Sequence, residues 1–398
     1  MSPSEPDLAN EQMVDRLIAE GALWSPSLIS AFRATPRHQF LDRVFVYQRK
    51  QDRWREILTR DPGEEELRLI YSDRALITRL SSGNTGGPPM PISSSSQPSL
   101  MAEMLEDLKL TPGLNVLEIG AGTGYNAALL AHVVQPGAVT TLEVDKEVLS
   151  EAWDHLRAFP ERRVRLQHAD GRHGIPESGP FDRIMVTAAT PDLEPAWFEQ
   201  LADRGLLLAP LALAPGLAFI VRGTVTDGLF HGRLTRAAYF MPLRAEGESG
   251  TSEVEPFEPV GSMRNMPAPW AGWFDRRRTR STWLNFSQAL VFLGYLRGLN
   301  VHYRVLEKGQ PCFGISEGQS LCWFGAQEWQ VNSEAGRDLG WLLWRAFLDC
   351  GGPWPIEYRL KASSGPLPVG RREGYIRHGP RCRQLWELIE ARDRQAWM

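Results

Sequence analysis

Val116 to Tyr125 reads VLEIGAGTGY, and Thr140 to Asp145, one helix-length further on, reads TTLEVD. A short apolar run ends in an acid, and Gly120, Gly122 and Gly124 follow at alternate positions. That order predicts a strand over 116–119, a tight loop, and a helix opening at 124. Glycines there permit positive φ and let a bulky ligand approach the backbone, while the helix start presents free N–H groups. Outward from this point helices and strands alternate. Helices are predicted over 99–110, 124–134, 146–157 and 194–202, and strands over 138–143, 163–168, 181–187 and 205–211. Such alternation implies an α/β fold with a parallel sheet, helices on both faces, and ligands at the carboxyl ends of the strands. Residues 217–241 read as antiparallel strands completing the sheet edge.

A dinucleotide fingerprint G-x-G-x-x-G needs its third glycine at position 125, where Tyr125 stands. The G-x-G-x-G form favours S-adenosylmethionine over NAD. Glu143, closing the next strand, is placed to accept hydrogen bonds from both ribose hydroxyls of an adenosine, and either cofactor would use it so.

At 398 residues the chain has length for two lobes. No apolar run approaches the ~18 residues of a membrane span. The polar, acidic start MSPSEPDLANEQ lacks the features of a secretory signal, so a cytoplasmic location is expected. Cys312, Cys322, Cys350 and Cys382 lie far apart without CxxC or paired His, which suggests neither metal nor disulfide framework. The net charge of −4 hides an asymmetry: from residue 263 onwards there are 19 Lys plus Arg against 12 Asp plus Glu, and ten of the 14 tryptophans. This fits nucleic acid, an acidic peptide partner, or a Trp-rich core with a solvated Arg face.

Residues 11–33 show two helical patterns broken at Gly21 and Ser25-Pro26, with Ser25 a helix cap. Thr35-Pro36-Arg37-His38-Gln39-Phe40-Leu41 follows, then a polar segment over about 48–68. Residues 81–98, SSGNTGGPPMPISSSSQP, read as a loop. The acidic, Pro/Gly/Ser-rich stretch 244–268 reads as a linker. Beyond it, helices are predicted over 283–298, 334–349 and 383–397 and strands over 301–306 and 320–324, with no nameable fold.

Three stretches together resemble protein-L-isoaspartate O-methyltransferases: Leu17 to Leu41 with G-A-L…A-F-R…P-R-H-Q-F-L, the I-S-S-S-S-Q-P segment, and L-E-I-G-A-G-T-G-Y through A-D-G-R-H-G to V-T-A-A-T-P. The resemblance covers roughly residues 11–243. It implies a Rossmann-like methyltransferase fold, S-adenosylmethionine as cofactor with S-adenosylhomocysteine as product, and methylation of a peptide carboxylate. The domain plan is then an N-terminal helical segment with substrate loop over 1–92, a methyltransferase domain over 93–243, the linker, and an additional α+β domain over 269–398. By the same resemblance Glu118, Gly120, Ala121, Gly122, Thr123, Gly124 and Tyr125 form the cofactor loop. Glu143 with Val144 holds the ribose, Asp170-Gly171 lies beside the adenine, and Thr187-Ala188 lies near the reaction centre, with Ala189 on the substrate side.

The family's I-S-x-P pattern places a serine hydroxyl on the substrate carboxylate. Here Ser96-Gln97-Pro98 fits the end of the pattern and Ile92-Ser93 its beginning, so Ser96 is the first candidate, Ser93 the second, with Ser94 and Ser95 between them. Ser96 also stands where a helix N-cap is expected, and both roles can coexist. Methyl transfer to a carboxylate needs alignment and exclusion of water rather than a base, because an aspartyl carboxylate with pKa ~3.9 is already ionised. An aspartyl ester can close on the following backbone nitrogen to a succinimide, which hydrolyses to aspartate and isoaspartate. The C-terminal extension and the expanded serine run look like the branch of the family associated with lanthipeptides and graspetides. This implies a specific L-aspartate in a cyclised ribosomal peptide as substrate, with Arg276, Arg277, Arg278, Arg371 and Arg372 as candidate contacts. Generic isoaspartyl repair with an accessory domain is the alternative. A nucleic-acid substrate is disfavoured, since Thr187-Ala188-Ala189-Thr190-Pro191 stands where an amine-methylation motif, Asn/Asp-Pro-Pro-aromatic, would follow the fourth strand.

Overall fold

The computed structural model describes residues 4–81, 89–246, 248, 262–270, 280–306, 310–350, 352–367 and 374–389. The chain opens with helices α1 (Glu5–Ala19) and α2 (Pro26–Arg33). Ser4 and Asp7 form a capping box on α1, whereas Ser25 gives its N–H and hydroxyl to Glu106 instead of capping α2. Strands β1 (Arg43–Gln48) and β2 (Arg53–Leu58), helix α3 (Glu64–Ile70), and strands β3 (Leu76–Leu80) and β4 (Pro91–Ser95) follow. The four strands make an antiparallel sheet in the order β2-β1-β3-β4.

Two expectations are corrected here. The N-terminal segment is only partly helical, and the serine run is a strand rather than a loop. Serine has weak strand preference, but Ser93 and Ser95 alternate inward, where Thr78 and Arg37 hydrogen-bond their hydroxyls, and pairing with β3 fixes the extended backbone.

The next elements are α4 (Pro98–Asp107), β5 (Asn115–Ile119), α5 (Tyr125–Val134), β6 (Ala138–Glu143), α6 (Lys146–Leu156), β7 (Val164–His168), β8 (Phe181–Val186), α7 (Pro195–Gln200), β9 (Leu201–Ala214), β10 (Leu217–Thr226) and β11 (Leu229–Ala237). β7, β6, β5, β8 and β9 are parallel, as the alternation predicts, and β9, β10 and β11 continue antiparallel. Then come β12 (Arg264–Pro267), α8 (Arg280–Leu296), β13 (Asn300–Val305), β14 (Pro311–Glu317), β15 (Ser320–Trp323), β16 (Glu328–Val331), α9 (Glu334–Asp349), β17 (Tyr358–Ser363), β18 (Tyr375–His378) and β19 (Arg383–Leu388).

β11 is not the sheet edge. β17, β19 and β18 extend the central sheet to ten strands in the order β18-β19-β17-β11-β10-β9-β8-β5-β6-β7. A separate five-stranded sheet, β12-β16-β15-β14-β13, carries α8 and α9 against it. The helix expected over 383–397 is therefore strand over 383–388, because the open side of β17 offers a ladder that outweighs local propensity. The end of the expected linker, 264–267, is β12, paired with β16. One hydrophobic core joins Leu117 and Ile119 beneath the glycine loop to Trp270, Trp329 and Trp386, each at most 1% exposed, so the tryptophan content here serves packing.

A buried carboxylate locks the C-terminal strands to the catalytic half. Asp192, with no exposure, accepts from the backbone N–H groups of Leu193, Arg381 and Cys382 and from Gln384 Nε2 at 2.7–2.9 Å. Arg381 also pairs with Glu194. No helix among the described residues is long and apolar enough to cross a membrane.

Candidate active site

A cavity of about 410 Å³ lies at the carboxyl ends of β5, β6 and β8. Its floor is the glycine loop, β4 crosses it, and residues 239–244 after β11 wall it. Of the residues singled out in the sequence, Ile92, Ser93, Ser94, Ser95, Ser96, Gln97, Glu118, Gly120, Ala121, Gly122, Thr123, Tyr125, Glu143, Val144, Gly171, Thr187 and Ala188 line it. Gly124, Asp170 and Ala189 do not. Arg276, Arg277, Arg278, Arg371 and Arg372 lie outside the described residues.

Backbone geometry explains the glycines. Gly120 has φ 101° and Gly122 φ 52°, both in the left-handed region, and a Cβ on Gly120 would sit 2.6 Å from Thr187 Oγ1. That hydroxyl is shared between the carbonyls of Ile119 and Gly120 at 3.0 and 2.8 Å, which ties β8 to the loop. His155 Nδ1, 2.9 Å from the Thr123 carbonyl, holds the loop from behind. A Cβ on Gly171 would collide with Ile119, so a glycine is needed where that loop closes on β5.

Two buried carboxylates face one another across this floor. Glu143 accepts from the N–H groups of Gly122, Val144 and Asp145 at 3.0–3.1 Å, and its pKa is nonetheless raised, because burial outweighs those bonds. Glu118, fully buried, accepts from Asn126 Nδ2 at 2.7 Å and Thr141 Oγ1 at 2.6 Å; burial, with Glu143 nearby, pushes it up to about 7. Asn126 Oδ1 and the Tyr125 hydroxyl are buried without a hydrogen-bond partner on residues that line the cavity. Asp170, by contrast, is bound by Arg172 through its backbone N–H, Nε and Nη2 at 2.6–3.1 Å.

The serine strand is pinned from below by Arg37. Its buried guanidinium donates to the carbonyls of Ile70, Ser72, Arg74, Ser95 and Ser96 and to Ser95 Oγ at 2.7–3.2 Å, and burial lowers its pKa to about 10. Asp73 receives Gln97 Nε2, Ser99 Oγ and Ser99 N–H, and so caps α4 from outside the helix. Ser96 takes no part in that cap; the N-cap residue is Gln97. Ser93 Oγ accepts from Thr78 and Ser95 Oγ from Arg37, whereas the hydroxyls of Ser94 and Ser96 form no hydrogen bond among the described residues.

Sequence reading missed the wall. Tyr239, Phe240, Met241, Pro242, Leu243 and Arg244 line the cavity, held to the end of β8 by Ala189 N–H to Met241 O and Leu243 N–H to Ala189 O, both 2.7 Å. Arg244 is the one cation lining the cavity among the described residues, and its Nη2 donates to Ile92 O at 3.0 Å. Arg37 lay in plain view within P-R-H-Q-F-L, but nothing in the spacing announced its partners.

The family profile described as "Protein-L-isoaspartate(D-aspartate) O-methyltransferase (PCMT)" matches residues 71–247. A protein-L-isoaspartate O-methyltransferase of Serratia proteamaculans (strain 568) is 45% identical over 184 residues, 46% of this chain and 72% of that one. The chain belongs to the protein-L-isoaspartate O-methyltransferase family. A relative of the same name from Hyperthermus butylicus is 32% identical over 260 residues, 62% of this chain and 92% of its own. A solved protein-L-isoaspartate O-methyltransferase shares the fold at TM-score 0.50 and 22% identity, covering 88% of this chain and 96% of its own.

Family membership makes this an S-adenosylmethionine-dependent carboxyl methyltransferase. The site's own features suit that cofactor: glycine φ values that bare the backbone, the Glu143 carboxylate, and two orphaned polar atoms on Tyr125 and Asn126.

Proposed function

We propose that the protein methylates the free carboxylate of an isoaspartyl residue in a polypeptide. The observation that carries this is the serine strand: Ser94 and Ser96 line the cavity with hydroxyls uncommitted among the described residues, on a backbone fixed by Arg37. S-adenosylmethionine supplies an electrophilic methyl group to a carboxylate oxygen. Ser94 and Ser96 orient that carboxylate, while Ser93 and Ser95, buried at the alternate positions of β4, support the strand. Glu143 and the bared backbone of Gly120 and Gly122 would hold the adenosine ribose and the methionine part, Gly171 would leave room for the adenine, and Thr187 fixes the loop. Asp170, occupied by Arg172, shapes its turn. Arg244 offers positive charge to an anionic acceptor in a cavity that otherwise holds two carboxylates. No general base is needed, since the acceptor is ionised at neutral pH.

The isoaspartyl acceptor is supported by relatives that bear that name over most of their lengths. A second reading, a specific L-aspartate in a cyclised ribosomal peptide, is favoured by the reach of the C-terminal part to the cavity mouth, where Gln288 Nε2 donates to the Tyr239 hydroxyl at 3.2 Å. The test incubates the enzyme with S-adenosylmethionine and matched isoaspartyl and L-aspartyl peptides, and follows ester and succinimide by mass. Methylation of the isoaspartyl peptide alone supports the first reading. Methylation of neither linear peptide, with activity on a cyclised L-aspartyl peptide, replaces it by the second.

A further inference from the structure

Tyr239 stands at the cavity mouth, 58% exposed, with its hydroxyl donating to the Gly216 carbonyl at 2.6 Å. Gly216 turns between β9 and β10 with φ 67°, and the ring of Tyr303 lies so close that a Cβ on Gly216 would collide with it. Two tyrosines, one from the catalytic half and one from the C-terminal part, thus meet at a single glycine. Tyr303 belongs to β13, the last strand of its sheet, which pairs with β14 on one side and with no strand on the other among the described residues. Apolar surface continues along it: Tyr303 is 36% exposed, Val305 59% and Leu306 41%. Soluble proteins usually protect such an edge with charge or proline. Among the described residues of β13 the one Lys, Arg, Asp or Glu is Arg304, which stacks 4.1 Å over Trp323 and donates to Gln330, so it is turned to the sheet rather than guarding its edge.

An open strand joined through Gly216 to Tyr239 at the mouth of a site for a polypeptide has an evident occupant. We propose that the substrate polypeptide, on one side of its modified residue, runs out over Tyr239 and Tyr303 and pairs in extended form with the edge of β13, seating apolar side chains on Tyr303, Val305 and Leu306. Main-chain hydrogen bonds then supply binding without demanding a sequence, and the apolar strip sets a preference for aliphatic or aromatic flanking residues. This rests on the reading of a peptide carboxylate as acceptor.

The test compares a five-residue isoaspartyl peptide with two apolar-flanked peptides of about fifteen residues, modified near one end or the other, long enough at ~3.3 Å per residue to span mouth and strand. One long peptide should show a KM roughly tenfold below that of the short one, the size of an added anchor region. Tyr303→Ala, Val305→Asp and Leu306→Asp should raise that KM toward the short-peptide value, with kcat, the KM for S-adenosylmethionine and the short-peptide KM unchanged. Val305 and Leu306 are exposed enough that their variants fold, so they decide the matter should Tyr303→Ala prove unstable. Equal KM values for long and short peptides, or variants without effect, overturn the docking strand and leave the carboxylate chemistry standing. Failure to methylate the short peptide as well would refute the underlying reading instead.

Discussion

Replacing Arg37 by methionine separates positioning of the acceptor from binding of the cofactor. The guanidinium has no solvent exposure and six hydrogen bonds, five to carbonyls, and no carboxylate among its direct partners. Its pKa of about 10 keeps it charged at neutral pH. Two of the acceptors, the carbonyls of Ile70 and Ser95, sit in fully buried bonds. Leaving each without a donor costs ~1–3 kcal/mol, and relief from burying a guanidinium offsets part of that, so a net destabilisation of about 3 kcal/mol is expected. The Ser95-Ser96 backbone loses its anchor, and a shift near 1 Å at a reacting group costs up to about 100-fold in rate. Arg37→Met should therefore lower kcat ten- to a hundredfold, while calorimetric affinity for S-adenosylhomocysteine stays within about threefold, since Glu143 and the glycine loop are braced separately. Arg37→Lys, with at most three donors, should fall between. An Arg37→Met enzyme with wild-type kcat, or one that loses cofactor affinity in step with rate, would refute the reasoning.

Glu143→Ala removes the carboxylate that sits over the glycine loop, and should weaken S-adenosylhomocysteine binding by about 30- to 100-fold, the loss of two charge-assisted hydrogen bonds, measured by titration calorimetry. Between pH 4.5 and about 7 folded Glu118 keeps a proton that the unfolded chain releases, so its contribution to stability is fully present below 4.5 and is lost as pH rises through about 7. The whole interval is worth roughly 3 kcal/mol; urea unfolding of Glu118→Gln at both ends should show a correspondingly flatter dependence, and an unchanged one disproves the assignment. Asp192→Ala strands the buried donors Cys382 N–H and Gln384 Nε2, and should cost about 3–5 kcal/mol and lower the melting temperature markedly. Cutting the chain after residue 246 should yield aggregates in size-exclusion chromatography rather than a working core, because β11 becomes a bare edge and the shared hydrophobic core opens.

What could be read from the sequence follows the range of the forces involved. The strand before Gly120, the glycines and Glu143 announce themselves locally, through an apolar run, a φ requirement and an acid at a strand end. The serine strand does not, because its extension depends on β3 and on Arg37, 58 residues away from Ser95. β19 has a helical pattern when its residues are taken alone, and its partner β17 is a pairing that no local periodicity reveals. Tyr239 lies at the end of the strands predicted over 217–241 and Arg244 just beyond them, and neither carries a motif. Composition alone leaves the tryptophans open between a binding surface and a Trp-rich core, and the burial of Trp270, Trp329 and Trp386 places those three in the core. The division into two lobes missed the shared sheet because a linker-like composition says nothing about whether strands on either side of it meet.

That shared sheet sets a timetable for synthesis. Phe230 on β11 pairs with Ala362 on β17, 132 residues later. At ~5–20 residues per second a ribosome takes roughly 7–26 s to cover that distance. During that interval the parallel core can assemble, but the outer side of β11 waits without its neighbour, and the long-range antiparallel pairing closes only once β17 has been made. The nascent chain thus passes through a stage with an exposed ladder and half a hydrophobic core. This makes expression yield sensitive to holding chaperones and to growth temperature, independently of the stability of the finished enzyme.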